Sequence, residues 1–264
     1  MSTIEKKDPA IQKKDPELEG HTVIAFGYKK HSGKDAAGGA LADAGYEKRA
    51  FANPIKEAIG KGVFGFSGEQ CHGGEKGAVD DYWGVSPGEI FQVVGTELFR
   101  KGLQEEFPEQ FDGQIWARAE CRELIERQNR GQHGKYVFTD LRFPDEAEFL
   151  RDHFGATCVE VRAPQEMREE WSGEDLRDDD HASETAMDGW EGWDYHIHNV
   201  DTLKHLRLNA RIIMRLEEGK TVPGIPSHLE VSDRVWETLN ADPVQAPQVS
   251  TGLIFSDKAP YDHA

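Results

Sequence analysis

Apolar residues fall along this chain in two rhythms. Short unbroken runs alternate with stretches in which apolar positions recur every three or four residues, from His21 to about Gly219. The run Thr22–Phe26 reads as a buried strand, and the KDAAGGALADAG that follows reads as a helix closed by Gly45. EKRAFA is a second strand candidate, and NPIKEAIGKGVFG starts a helix with Asn53 as cap and Pro54 at its first position. Helical spacing returns in Pro87–Phe107 and in QIWARAECRELIERQNRG, which a glycine ends. Lys135–Phe143 predicts a strand, PDEAEFLRDHFG a helix and ATCVEVRAP a further strand. Asp194–Val200 predicts a last strand. TLKHLRLNARIIMRLEEG predicts a last helix, with Leu203, Leu206, Ala210, Ile213 and Leu216 or Glu217 along one face.

Strands alternating with helices of this length define an α/β fold with a mainly parallel sheet and helices on both faces. In such a sheet ligands bind beyond the carboxyl ends of the strands. Gly27–Asp35 and Asp140–Arg142 both fall at that edge. Residues 1–20, rich in Lys, Asp, Glu and Pro and without a period, read as a disordered leader. Residues 220–264 read as an extended Pro-rich tail with one short helix near His228–Asn240. One domain over residues 21–219 is left between them.

Acidic residues number 49 against 31 basic ones, a net charge of −18. That balance speaks against a nucleic-acid polymer as principal partner and remains compatible with a small phosphorylated molecule held by a few placed cations. No apolar run reaches the length that spans a bilayer, and the charged N-terminus lacks a secretory pattern. With three cysteines, Cys71, Cys121 and Cys158, the chain reads as a reduced, cytoplasmic protein. Cys71 and His72 with His181, His196 and His198 lack the paired spacing of a zinc site, and Trp83, Trp190 and Trp193 read as packing.

The chemistry concentrates in GYKKHSGKD, between the first strand and the first helix. A phosphate-binding loop needs glycines that let backbone N–H groups turn onto an anion, a helix N-terminus behind them, and a lysine for the outer phosphates. Gly27, Gly33 and Lys34 stand in those places, but five residues rather than four separate the glycines. Asp35 replaces the usual hydroxyl. It reads either as a hard oxygen ligand for Mg²⁺ or as an acid favoured by the helix dipole.

Together with SGKD (32–35), the stretches FANPIKEAI (51–59), FQVVGTELFRKG (91–102), VFTDLRFPDEAEFLRDHFGATCVEVRAP (137–164), HASET and DYHIHNVDTLKHL carry a resemblance. They resemble the deoxynucleoside monophosphate kinases of tailed bacteriophages, within the P-loop nucleotide kinase superfamily, over most of residues 21–219. The resemblance implies a P-loop NTPase-type three-layer sandwich with a lid segment, at about 163–185 here, in a protein of the host cytoplasm. It implies transfer of the γ-phosphoryl of ATP to a deoxynucleoside monophosphate, with Mg²⁺. Ala36 stands where the family commonly has Thr, and Gly88 where an arginine is expected in many relatives.

On that reading Gly27, His31, Ser32, Gly33, Lys34 and Asp35 bind the ATP phosphates, and Asp35 with Asp140 serves the metal. Lys34, Asp140 and Arg142 are the catalytic candidates; Asp140 reads alternatively as a cap on the next turn. Arg100 and Arg142 are placed on the acceptor phosphate, because a guanidinium grips phosphate bidentately, and Gln92 and Glu97 on the base or sugar. Ion pairs compete for both arginines: Glu97 or Glu105 for Arg100, Asp140 or Asp145 for Arg142. Arg162, Arg168 and Arg177 belong to the lid region, with His181 and Glu184 in the family's HxSE pattern. The alternatives are a P-loop kinase acting on a modified base in phage DNA, and a nucleotide-binding protein without turnover. A homodimer is compatible with all three readings.

Overall fold

The computed structural model describes residues 20–241 apart from 112, 174–175, 177–180, 221 and 223. The expected leader, most of the expected tail and Arg177 therefore lie outside the described residues. Six strands form one sheet in the order β2-β3-β1-β4-β5-β6. β1 (Thr22–Gly27), β2 (Glu47–Arg49), β3 (Lys135–Leu141), β4 (Thr157–Arg162) and β5 (Tyr195–His198) are parallel, and β6 (Leu229–Val231) is antiparallel to β5.

The helices follow in chain order. α1 is Lys34–Ala42; a π-helical segment Ile55–Phe64 leads to α2 (Gly68–His72). α3 (Pro87–Gln92) runs through a second π-helical segment, Val93–Lys101, into α4 (Gly102–Glu106). Then come α5 (Ile115–Asn129), α6 (Pro144–Phe154), α7 (Gln165–Ser172), α8 (Ala182–Thr185), α9 (Leu203–Glu217) and α10 (Asp233–Ala241).

Alternation along β1 builds the layers, because successive side chains leave a strand on opposite faces. Val23 and Ala25 join Trp116, Leu124, Phe149 and Leu150 on the face covered by α5 and α6. Ile24 and Phe26 join Ala37, Leu41, Ala210 and Ile213 on the face covered by α1 and α9. A strand buried on both faces reads as an unbroken apolar run, which is why Thr22–Phe26 is legible.

Four details depart from the pattern. Asn53 caps nothing: its amide donates to Glu120 at 3.2 Å, and the helix after Pro54 widens to π geometry. The two π-helical segments meet through glycines. A Cβ on Gly60 would lie 2.8 Å from the Phe91 ring, and one on Gly95 would lie 2.9 Å from Ile55 Cδ1. Leu203 is exposed although Leu206, Ala210, Ile213 and Leu216 are buried, so α9 joins the core only from Leu206 onward. Residues 229–231, expected in the tail, pair with β5, and Val222 and Leu229 are buried in the core, so the packed body runs beyond residue 219.

Candidate functional site

The loop after β1 turns sharply. Tyr28, His31 and Gly33 have φ of 93°, 58° and 103°, so the longer loop is absorbed by two non-glycine residues in the left-handed region. Gly27 is required by close approach instead: a Cβ there would meet Trp193 at 2.6 Å and the Leu141 carbonyl at 2.8 Å. Gly33 is required twice over, by its φ and by Asn199 Nδ2 and Leu206 Cδ2, each 2.7 Å from where its Cβ would stand. Asn199, buried at the end of β5, donates to the Ser32 carbonyl at 2.9 Å and fixes the loop from outside. The Ser32 hydroxyl is buried with no hydrogen-bond partner among the described residues.

Lys34 opens α1 and is 5% exposed. Its ammonium folds back onto the Lys29 carbonyl of its own loop. Burial, reinforced by the Arg142 charge, holds that ammonium well below its ordinary pKa. Asp35, exposed beside it, accepts from Lys48 Nζ at 2.7 Å and from Thr139 Oγ1 at 2.9 Å.

Asp140, at the carboxyl end of β3, accepts the backbone N–H groups of Phe51 and Ala52, each at 3.0 Å. It thus caps the start of the segment after β2 rather than its own next turn. Burial raises the Asp140 carboxyl, opposed by these two donors and by Arg142. Arg142 pairs with the Glu184 carboxylate and donates to the Ser183 carbonyl at 3.2 Å. Glu184 also accepts the Lys30 backbone N–H at 2.7 Å, while Lys29 donates to the Glu184 carbonyl and to Asp188, both at 2.5 Å. Arg168 of α7 reaches the Lys30 carbonyl at 3.2 Å. The segment between β4 and β5 therefore rests on the loop.

The structure brings Gly27–Asp35, Asp140 and Arg142 to one edge of the sheet, with Glu184, Arg168 and Asn199 around them. Of the other expected substrate residues, Arg100 shares Glu146 with the Arg142 backbone N–H, which that carboxylate accepts at 3.0 Å, whereas Gln92 and Glu97 stand at exposed positions. Arg100 is buried, its guanidinium held by Asp145 at 2.5 Å and Glu146 at 2.7 Å and lying 3.8 Å from the Phe143 ring centroid, so both amino groups are committed to α6. Glu97 faces solvent and pairs with Lys101 at 2.9 Å, and Gln92 is exposed. The stem of Lys76 lies across Gly88, where the resemblance expects an arginine.

Among the described residues no group of three or more His, Cys, Asp or Glu side chains is disposed to hold a metal ion. Asp35 and Asp140 offer hard oxygens of the kind Mg²⁺ takes, but Lys48 and Thr139 engage Asp35 and the Phe51 and Ala52 N–H groups engage both oxygens of Asp140, so a Mg²⁺ here would draw most of its ligands from phosphate and water. A cleft of about 680 Å³ lies beside the loop, lined by Tyr28, Glu160, Arg162, Trp190, His196 and His198 among others. No described helix is long and apolar enough to cross a membrane.

No family model matches the chain. Over 185 residues it is 29% identical to a protein of Acanthamoeba polyphaga mimivirus named "Putative deoxynucleotide monophosphate kinase", covering 66% of this chain and 86% of that protein. That relative belongs to a giant virus, not to a tailed bacteriophage. Among solved structures, a sugar kinase from Janibacter has a TM-score of 0.41 at 14% identity, over 75% of this chain and 95% of its own. A gluconokinase from Sinorhizobium meliloti has a TM-score of 0.40 at 15% identity, over 76% and 95%. Likeness of that degree does not bear on activity.

Proposed function

We propose that this chain is an ATP-dependent kinase that transfers the γ-phosphoryl of ATP to a deoxynucleoside monophosphate. The observation that carries the reading is Lys34: a buried lysine on the first turn of α1, behind a glycine loop at the carboxyl edge of β1, with no carboxylate among the described residues bonded to its ammonium. Its hydrogen bond goes to a carbonyl of the loop, an arrangement that a phosphate oxygen can replace. The mimivirus relative, by its name, supports the phosphoryl acceptor assigned here.

In this reading the N–H groups from Gly27 to Gly33 wrap the β-phosphate and Lys34 contacts the β- and γ-phosphates. An oxygen of the acceptor phosphate forms a bond to the γ-phosphorus as the bond to the β–γ bridging oxygen breaks, giving a nucleoside diphosphate and ADP. Transfer of this kind asks the protein for position and charge neutralisation more than for covalent help. Arg142 supplies a guanidinium between the loop and the rest of the edge, once Glu184 releases it. Mg²⁺, held through Asp35 and Asp140 or their waters, would neutralise charge on the phosphates.

The test is incubation with ATP, Mg²⁺ and each of the four common deoxynucleoside monophosphates, followed as ADP and diphosphate formation. Lys34→Ala runs beside it to exclude a contaminating kinase. Diphosphate formed from one or two acceptors and lost in Lys34→Ala is the expected result. ATP binding with no turnover on any monophosphate would overturn the reading.

A further inference from the structure

The cleft of about 680 Å³ beside the loop is built from the carboxyl ends of β4 and β5, on the sheet face away from α1. Val159, Val161, Tyr195 and Ile197 join the core under α1 and α9, so alternation sends Glu160, Arg162 and His196 to the other face. Glu160 and His196 stand directly across from each other in the β4–β5 register. The Glu160 carboxylate is 3% exposed and holds His196 Nδ1 at 2.5 Å and Arg162 Nη2 at 2.7 Å. A carboxylate only accepts, so the imidazole carries a proton on Nδ1 and leaves Nε2 for another partner. Neither Nε2 nor the rest of the Arg162 guanidinium has a partner among the described residues.

Buried ion pairs contribute little net stability, so packing alone does not account for a carboxylate placed here. Its effect is to fix two polar groups side by side, His196 Nε2 and the Arg162 guanidinium, on residues that line the cleft. Tyr28, Trp190 and Trp193 add an aromatic wall. The two indoles meet edge to face with centroids 4.8 Å apart, and the Arg151 guanidinium lies 5.1 Å from the Trp190 centroid, so the wall is set before any ligand arrives. Aromatic lining with a few placed polar groups, in a volume of this size, is the form of a small-molecule site. Charge narrows the class: Glu160 and Glu191 against Arg162 disfavour a polyphosphate. An uncharged heterocyclic base meets all of these conditions, with a flat face for aromatic rings and donors and acceptors along its edges.

We propose that this cleft binds the heterocyclic base of a nucleoside, with His196 Nε2 and Arg162 meeting its edge and Glu160 holding both in place. The inference does not rest on the kinase reading, because a base asks nothing of Lys34 or Asp140. Its source is either a free nucleoside or a nucleotide whose phosphates lie on the loop, which Tyr28 joins to the cleft.

The experiment titrates deoxyadenosine, deoxyguanosine, deoxycytidine and thymidine, none of which carries a phosphate, into the full chain by calorimetry. His196→Phe, Ala163→Trp and Lys34→Ala are titrated in the same way, with folding checked by circular dichroism and thermal unfolding. His196→Phe keeps a ring and removes Nε2, whereas Ala163→Trp fills the cleft and leaves Glu160 and His196 as they are. At least one deoxynucleoside is expected to bind, and each cleft variant to weaken it about tenfold or more. Lys34→Ala should leave that affinity within about twofold. Repeating the titration with ATP present, then with each monophosphate, identifies the source. Competition by ATP gives the cleft to the base of the loop's own nucleotide, competition by a monophosphate alone gives it to the acceptor, and competition by neither gives it to a free nucleoside; each supports base binding. No deoxynucleoside binding by the unmodified chain, or binding undiminished in both cleft variants, overturns the proposal. Deoxynucleoside binding without diphosphate formation from any monophosphate removes the kinase reading and leaves the cleft site standing. Diphosphate formation without deoxynucleoside binding does the reverse.

Discussion

Two adjacent glycines in α1 give a test of how the loop's helix is held. Gly38 faces β3: a Cβ there would sit 2.2 Å from Thr139 Cγ2, with its next contacts at 3.6 Å. Gly39 faces outward and would meet only Arg207 Nη1 at 3.7 Å. Alanine in a helix interior is favoured over glycine by about 1 kcal/mol, so Gly39→Ala should stabilise the protein by about that amount. Gly38→Ala gains the same propensity but drives a methyl into a backed side chain. Overpacking costs about 1–3 kcal/mol, and so deep an overlap belongs in the upper half of that range. The net is a loss of about 1–2 kcal/mol, and the variants should differ by about 2–3 kcal/mol. In thermal midpoint that is a separation of about 4–12 °C for a chain of this size. Urea unfolding followed by tryptophan fluorescence, with equal slopes required, measures it. Thr139→Ser removes Cγ2 and keeps the hydroxyl bonded to Asp35, so it should relieve most of the Gly38→Ala loss in a double-mutant cycle. Gly38→Ala as stable as Gly39→Ala would refute the close seating of α1 on β3, and with it the argued position of Lys34.

Lys34→Ala should abolish diphosphate formation while leaving the protein folded, read by activity and circular dichroism together. The depressed Lys34 ammonium also has a protonation consequence: a bound triphosphate stabilises the charged form, raises its pKa toward the ordinary value and draws in a proton. At a pH above the depressed value and below the ordinary one, calorimetric enthalpy of ATP binding should vary with the ionisation enthalpy of the buffer in the sense of proton uptake, and Lys34→Met should remove that variation. Stability has the matching sign. Between those two pKa values the unfolded chain holds the proton and the folded one does not, so stability gains from this site as pH rises, a gain missing in Lys34→Met. Asn199→Ala removes the 2.9 Å bond to the Ser32 carbonyl and should cost about 1–3 kcal/mol by urea unfolding, with ATP bound about tenfold more weakly because the loop is no longer set before binding.

Buried strands and capped helices were legible because their signals are local. Thr22–Phe26 is apolar throughout, and Pro144 and Gly155 punctuate α6 at its two ends. What escaped is set by distant partners. Asn53-Pro54 has the form of a cap, but Glu120 on α5 takes the Asn53 amide. Residues 229–231 look like tail until β5 offers an edge to pair with. Arg100 carries no local mark that Asp145 and Glu146, more than forty residues later, will claim both its amino groups. The site divides in the same way. Gly27, Gly33 and Lys34 are visible as a motif, whereas the hold of Glu184 on Arg142 and on the Lys30 N–H joins residues far apart in the chain.

Charge allocation links the loop to the segment over it. The Lys30 N–H and the Arg142 guanidinium, both candidates for phosphate, are held by one carboxylate, Glu184. A carboxylate so placed satisfies those donors without a ligand, and its backbone carbonyl occupies Lys29 as well. On the proposed reading, a triphosphate seated on the loop would compete for the same donors with more charge and more acceptor oxygens, so that its arrival would exchange with Glu184. The segment carrying Glu184 also carries Arg168, bonded to the Lys30 carbonyl. That second contact needs no phosphate and is not displaced by one. On the proposed kinase reading, the Arg168 bond therefore keeps an arginine of α7 beside the loop when Glu184 gives way to phosphate.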